Sequence, residues 1–310
     1  MSLLTIIQSA CGELGLTQPT TVIGNTDAST TQLLALANRE GKEMASIPGQ
    51  WSGWPELRKQ YTFTMVTAGS FTGISTTAGS NVLSGFSSTS GISVGYGVAG
   101  GSILTGASVT AVGSSTVTLD TPAQSTATGQ TFVFGQVAYP IPTDLAAFIP
   151  ATQWDRNFRW QMLGPLSAQE WQTIVSGISP VGPRLRFRVM GNQFYIQPPP
   201  GSTQTDILAF EYISNCWCMP TGTTTPSQTS WTADTDVYAW PEDTVVLGLK
   251  WRYLAAKGLN YAEEKDTWQN AIDRQVARSG TSRTLPLNSL NSGGIHLLGQ
   301  ANIPDTGFGT

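Results

Sequence analysis

The first apolar positions recur at a helical spacing. Leu3, Leu4, Ile6, Ile7, Cys11 and Leu14 share one side of a predicted helix, and Gly15 stands where that helix would end. A loop marked by Pro19, Gly24 and Asn25 follows, and Thr26 or Asp27 is placed to cap a second helix. Its apolar side holds Leu33, Leu34, Leu36 and Ala37, and its polar side Arg39, Glu40, Lys42 and Glu43. After Trp51, Trp54 and Pro55 the period drops to two. Tyr61, Phe63 and Met65 alternate with Thr62 and Thr64, the pattern of a half-buried strand.

From Thr67 to Gly135 the pattern changes. Gly, Ser and Thr dominate, and the one charged side chain is Asp120. Short runs of β type interrupt them: Ile92-Ser93-Val94, Ser108 to Val112, Thr116 to Leu119 and Thr131 to Phe134. Regular turn signals between these runs predict an all-β module, because a solvated Gly/Ser linker would not keep the alternation. The earlier style resumes at Val137-Ala138-Tyr139-Pro140-Ile141-Pro142, entering a turn at Thr143-Asp144. The module at 67–135 therefore reads as an insertion into a hairpin loop, with its two ends close together.

Ser167-Ala168-Gln169-Glu170 is a capping box for a helix with Trp171 and Ile174 facing in. Three strands follow, Leu185 to Met190, Gln193 to Gln197 and Ile207 to Ile213, and they predict an antiparallel meander. Pro241 opens a helix with Glu242 and Asp243 in its first turn and Val245, Val246, Leu249 and Tyr253 as its inner stripe. Asn260 with Glu263 caps another helix running to about Ser279, with Ala262, Trp268, Ala271 and Ile272 facing in. The last residues, 280–310, lose all period but keep apolar words, a design suited to docking on a partner: Leu285, Leu287, Ile295, Leu297, Leu298, Ile303 and Phe308. The fold class is α+β, with a body at 1–66 and 136–279, an inserted module at 67–135 and an extended arm at 280–310.

Composition narrows the function classes. Only 12% of residues are charged and the net charge is −4, so no global basic field recruits nucleic acid. The N-terminus has no basic region followed by an apolar core, and no apolar run approaches the roughly 20 residues of a membrane span. No export signal and no membrane contact are expected. Cys11, Cys216 and Cys218 form no disulfide framework and lack the spacing of zinc pairs, so buried free thiols and no metal are expected.

Catalytic chemistry has little to work with. The single histidine, His296, sits in the irregular tail, so no Ser-His-Asp or Cys-His system is expected. Gly95-Tyr96-Gly97-Val98-Ala99-Gly100 matches a phosphate-binding pattern in letters only, because it lies in the β module with no helix after it. Asp144 with Asp155, or Asp234 with Asp236, could pair as in a glycosidase, but caps and turns explain them better; Asp144 and Asp243 stand where caps are expected. No catalytic residue and no cofactor are therefore assigned. The one local basic density is Arg156, Arg159, Arg184, Arg186 and Arg188, interleaved with Trp154, Phe158, Trp160 and Phe187. These arginines are candidates for a subunit interface or for contact with DNA.

Several stretches together resemble the head-to-tail adaptor, or head completion, proteins of short-tailed and related bacteriophages. They are the Leu3–Leu16 and Thr31–Ala45 helices, Trp54-Pro55-Glu56-Leu57-Arg58, Tyr139-Pro140-Ile141-Pro142-Thr143-Asp144 and Gly191-Asn192-Gln193-Phe194-Tyr195-Ile196. Phe210 to Ile213, Trp240-Pro241-Glu242-Asp243, Leu249 to Tyr253 and Asn302 to Gly307 extend the likeness. The resemblance implies a non-enzymatic virion protein that forms a ring, usually dodecameric, beneath the portal, with an extended C-terminal segment on the portal and genomic DNA passing through the channel. It implies the portal, neighbouring subunits, and tail nozzle, tube or fibre proteins as partners, and assembly in the host cytoplasm. Another tail, baseplate or decoration protein, or a carbohydrate-binding surface module, would share the same broad features.

Overall fold

The computed structural model describes residues 2–47, 54–177 and 184–279. Helix α1 (Leu3–Leu14) starts where Ser2 Oγ accepts the Thr5 N–H, and ends at Gly15, whose φ of +68° suits a residue without Cβ. Helix α2 (Ala28–Ser46) is capped by Asp27, which accepts the Thr30 N–H. A short 3-10 turn at Pro55–Leu57 leads into β1 (Arg58–Thr64).

The stretch predicted as a β module contains β2 (Thr67–Thr76), β3 (Val82–Ser84), β4 (Tyr96–Ala99), β5 (Val109–Val112), β6 (Thr116–Leu119) and β7 (Ala127–Gln136). They form one antiparallel sheet in the order β4-β7-β2-β3-β6-β5. Thr67 pairs with Gly135, so the chain enters and leaves this sheet side by side. Ile74, Leu83, Val117, Phe132 and Phe134 belong to a buried cluster of its own. One expected strand is displaced. Ile92-Ser93-Val94 lies in turns between Gly91 and Gly95, both at positive φ, and the strand begins only at Tyr96. Ile92 is nevertheless buried, which is why its apolar character read as strand.

Next come β8 (Ala138–Pro140), β9 (Leu145–Phe148), β10 (Trp154–Asp155), β11 (Trp160–Gln161), α3 (Ala168–Val175), β12 (Arg186–Met190), β13 (Gln193–Gln197) and β14 (Ile207–Ser214). The capping box of α3 is formed in both directions between Ser167 and Glu170. The expected three-strand meander is not. β12 and β13 make a hairpin turned by Gly191 and Asn192, both at positive φ, and β8 completes their sheet. β14 joins a second sheet, β1-β14-β10-β11 with β9 also on β14, and pairs with β1 from Arg58↔Ile213 to Thr64↔Ile207. The Pro198-Pro199-Pro200 run explains the departure, since three residues without N–H cannot continue a ladder. The two sheets face each other across stacked rings, Phe187 to Phe194 at 4.9 Å and Phe194 to Phe210 at 5.5 Å.

A small hairpin, β15 (Cys218–Met219) with β16 (Val237–Tyr238), precedes α4 (Glu242–Ala256) and α5 (Ala262–Ser279). Helices α1, α2 and α4 enclose Trp54, Trp217, Tyr238 and Trp240, and α5 lies on α4 through Trp268 and Ile272. Two facing assignments change, one in each direction. Ala262 is exposed in the first turn of α5, where the buried stripe has not yet begun. Glu40, expected on the polar side of α2, is wholly buried.

Candidate functional site

The five arginines fall into two groups. Arg184, Arg186 and Arg188 lead into and run along β12, where Phe187 points into the core between them. Arg188 Nη1 donates to the Ser167 carbonyl at 3.1 Å, tying this strand to the start of α3. Arg156 and Arg159 instead occupy the tip of the β10–β11 hairpin.

That tip is held firmly. The Asp155 carboxylate accepts the N–H groups of Asn157 and Phe158 at 3.0 and 3.1 Å. Asn157 Oδ1 accepts the Ile207 N–H at 3.2 Å, and the Arg156 N–H donates to the Ile207 carbonyl at 2.9 Å. Arg159 sits at φ +59°, in the left-handed region. Phe158 and Trp160 stack with centroids 5.4 Å apart, although they are 52% and 37% exposed. Burial, with a push from the Asp206 charge, raises the Asp155 carboxyl above its ordinary value against the pull of the amide donors. Beside the tip a cleft of about 580 Å³ is lined by Gln60, Trp154, Arg156, Arg159 and Glu211.

A second cluster escaped the sequence reading. Arg252 Nε and Nη2 both donate to Glu40 Oε2, at 2.8 and 2.7 Å, and the Trp268 indole N–H donates to Glu40 Oε1 at 2.7 Å. Glu43 reaches Arg252 from the rim at 3.0 Å, and the guanidinium lies 4.3 Å from the Trp251 ring centroid. Burial drives the Glu40 carboxyl upward, restrained by the Arg252 charge and by the hydrogen bonds. A signal was present. Leu33, Ala37, Glu40 and Met44 share one helical stripe, as do Val245, Leu249 and Arg252, so two opposite charges stand on two apolar faces.

The carboxylates weighed as catalytic pairs serve as fasteners. Asp144 follows β8, not a helix end. It accepts from Lys59 at 2.7 Å, Ser214 at 2.8 Å and Tyr212 at 2.9 Å, pinning β1 and β14. Asp234 accepts the Val22 and Ile23 N–H groups, and Asp236 those of Thr232 and Ala233. Asp243 lies in the first turn of α4, two places past the cap residue Pro241. The three thiols are free and buried. Gly95 to Gly100 runs through β4 with no helix following.

A family model described as SU10 adaptor protein matches residues 110–290, more than half of the chain. The chain belongs to that family. It is a bacteriophage adaptor, a structural protein of the virion that contacts other virion proteins. No curated protein matches it. The match takes in both arginine groups and Arg252 of this adaptor, and it opens at Thr110, within the Gly/Ser/Thr-rich stretch. No helix among the described residues is long and apolar enough to cross a membrane. The candidate docking residues Leu285, Leu287, Ile295, Leu297, Leu298, Ile303 and Phe308, with His296, lie outside the described residues.

Proposed function

We propose that the adaptor forms a dodecameric ring that joins the portal to the tail and lines part of the DNA channel, in a structural and not a catalytic role. The family match carries this reading, since it runs through both sheets of the body and both C-terminal helices. In it, 280–310 is the arm that grips the portal or a neighbouring subunit through its apolar words. Residues 67–135 are an inserted module that meets a tail nozzle, tube or fibre protein. The pairing of Thr67 with Gly135 supports an insertion, because excision there leaves ends that a short turn can join. Arg184, Arg186 and Arg188 would line a subunit contact or the channel, with only transient DNA contact for a chain of net charge −4.

Mixing the purified protein with its portal and imaging the particles by electron microscopy tests the reading. A ring of density beneath the portal is expected; a protein that leaves the portal bare refutes it. Removal of 280–310 should abolish attachment, and removal of 67–135 should leave the body folded.

A further inference from the structure

The six-stranded sheet is pressed against the rest of the chain where no side chain would fit between them. A Cβ added at Gly106 would collide with the Val175 backbone of α3, one at Gly97 with Val137, and one at Gly135 with Pro200. Gly106 also stands at φ +96°, a backbone that a side chain would strain. Contacts this close hold the sheet in one placement, and a cleft of about 580 Å³ is left along the seam. That volume falls within the roughly 300–1,000 Å³ of small-molecule sites, and a preformed cleft loses little entropy when it is filled.

The lining selects a kind of ligand. No Lys, Arg, Asp or Glu is among the residues that form it, so neither a phosphate nor a charged peptide finds a counter-ion there. Tyr96 of β4 and Gln193, Tyr195 and Gln197 of β13 all line it. Among the described residues, the two hydroxyls and the two side-chain amides bond to no other group of the chain. Gln197 is the telling one: it is 4% exposed, and its Oε1 is buried with no donor. An unpaired buried acceptor costs about 1–3 kcal/mol, which a ligand hydroxyl would relieve. The strands that carry these residues offer no free edge, since β13 is paired on both sides and β4 pairs with β7 and bridges to Ser108. Side chains therefore do the recognising. Amides and hydroxyls both donate and accept, as sugar hydroxyls do. The half-buried Tyr195 ring, braced edge-on by the buried Trp171 at 6.2 Å, supplies the flat apolar face that the C–H side of a pyranose packs against. We propose that this cleft binds a neutral saccharide, its ring on Tyr195 and its hydroxyls on Gln197, Gln193 and Tyr96. The site goes beyond the ring reading and does not depend on it: it gives the adaptor an attachment to an uncharged glycan.

The test applies the full-length protein to an array of neutral oligosaccharides built from hexoses, N-acetylhexosamines and deoxyhexoses, with sialylated and sulfated glycans alongside. Saturable binding to a neutral member is expected, and that oligosaccharide should raise the melting temperature. In titration calorimetry with it, Gln197→Leu should weaken binding about tenfold or more, and Gln193→Ala at least about threefold. Gln197→Leu removes an unpaired acceptor, so the unliganded variant should melt no lower than the unaltered protein; a residue with a purely structural role would show the reverse. Gln193 is exposed, so its variant keeps the test valid even if Gln197→Leu misfolds. Binding to no neutral member, binding confined to the acidic glycans, or affinity unchanged in both variants would overturn the site. If Gln193→Ala lowers the attachment of a tail protein and no saccharide binds, the cleft takes a polypeptide and the inference fails. Ring density on the portal should be unchanged in both variants, so the saccharide site and the ring reading can fail separately.

Discussion

Replacing Arg252 by Met removes the cation from the centre of the helical core and leaves Glu40 behind. The Arg252 side chain is 4% exposed and that of Glu40 0%. After the change Glu40 keeps one charged-form donor, the Trp268 indole at 2.7 Å, and loses two donors and a full positive charge. Breaking a buried pair from one side costs about 3–5 kcal/mol, because the remaining charge is stranded in a low-dielectric site. The loss depends on pH, and its sign follows from proton binding. Burial already holds the Glu40 carboxyl above its usual range, and without Arg252 it rises further. Between the unfolded value of about 4.3 and the higher folded value, the folded state carries a proton that the unfolded state lacks. Stability therefore falls as pH rises through that window, by at most about 1.4 kcal/mol per pH unit. Urea unfolding followed by tryptophan fluorescence should show a smaller deficit at about pH 5.5 than at about pH 7.5. Glu40→Leu combined with Arg252→Met should recover most of the loss, since an apolar pair of similar volume is often neutral. A single-variant deficit below about 1 kcal/mol, or one that is flat with pH, would refute the assignment of Arg252 as the compensating charge.

Asp144 gives the opposite pH signature. Burial pushes its carboxyl up, but hydrogen bonds from Lys59, Ser214 and Tyr212 outweigh this and hold it below the usual range. Its contribution is present above the unfolded value of about 3.9 and is lost as pH falls through the folded one, so Asp144→Asn should flatten the acid limb of the stability curve. Gly100→Ala should destabilise the six-stranded sheet by about 1–3 kcal/mol, because the added methyl collides with the Phe132 ring; thermal melting checks it. The thiols should react with a disulfide reagent only after unfolding; burial, with help from the Asp236 charge, pushes Cys218 up to about 12. Rapid labelling of the native protein would contradict its burial.

Local signals in the sequence proved readable where one residue decides one turn of chain. Gly15, Asp27, the Ser167–Glu170 box and the Gly191-Asn192 turn each act within a few residues, and the structure uses each as its chemistry suggests. Choices between distant partners were not readable in the same way. β14 could have stayed beside β13; its pairing with β1, far earlier in the chain, depends on which sheet completes the stack of Phe187, Phe194 and Phe210. Glu40 looked solvated because its neighbours Arg39, Lys42 and Glu43 are polar, and only Arg252 in the facing stripe explains its burial. The arginines looked like one cluster along the chain, yet a hairpin tip and a separate sheet divide them.

The scarcity of charge in the β2–β7 sheet has a consequence for the environment in which it works. Its single ionisable acid, Asp120, is occupied by the Ser108 N–H and hydroxyl at 2.8 Å each. A contact made through that surface has almost no ions to screen and almost no protons to exchange. Its strength should stay level from fresh water to brine, while any contact resting on the arginine tip weakens as salt shortens the Debye length from about 30 Å at 0.01 M to about 3 Å at 1 M.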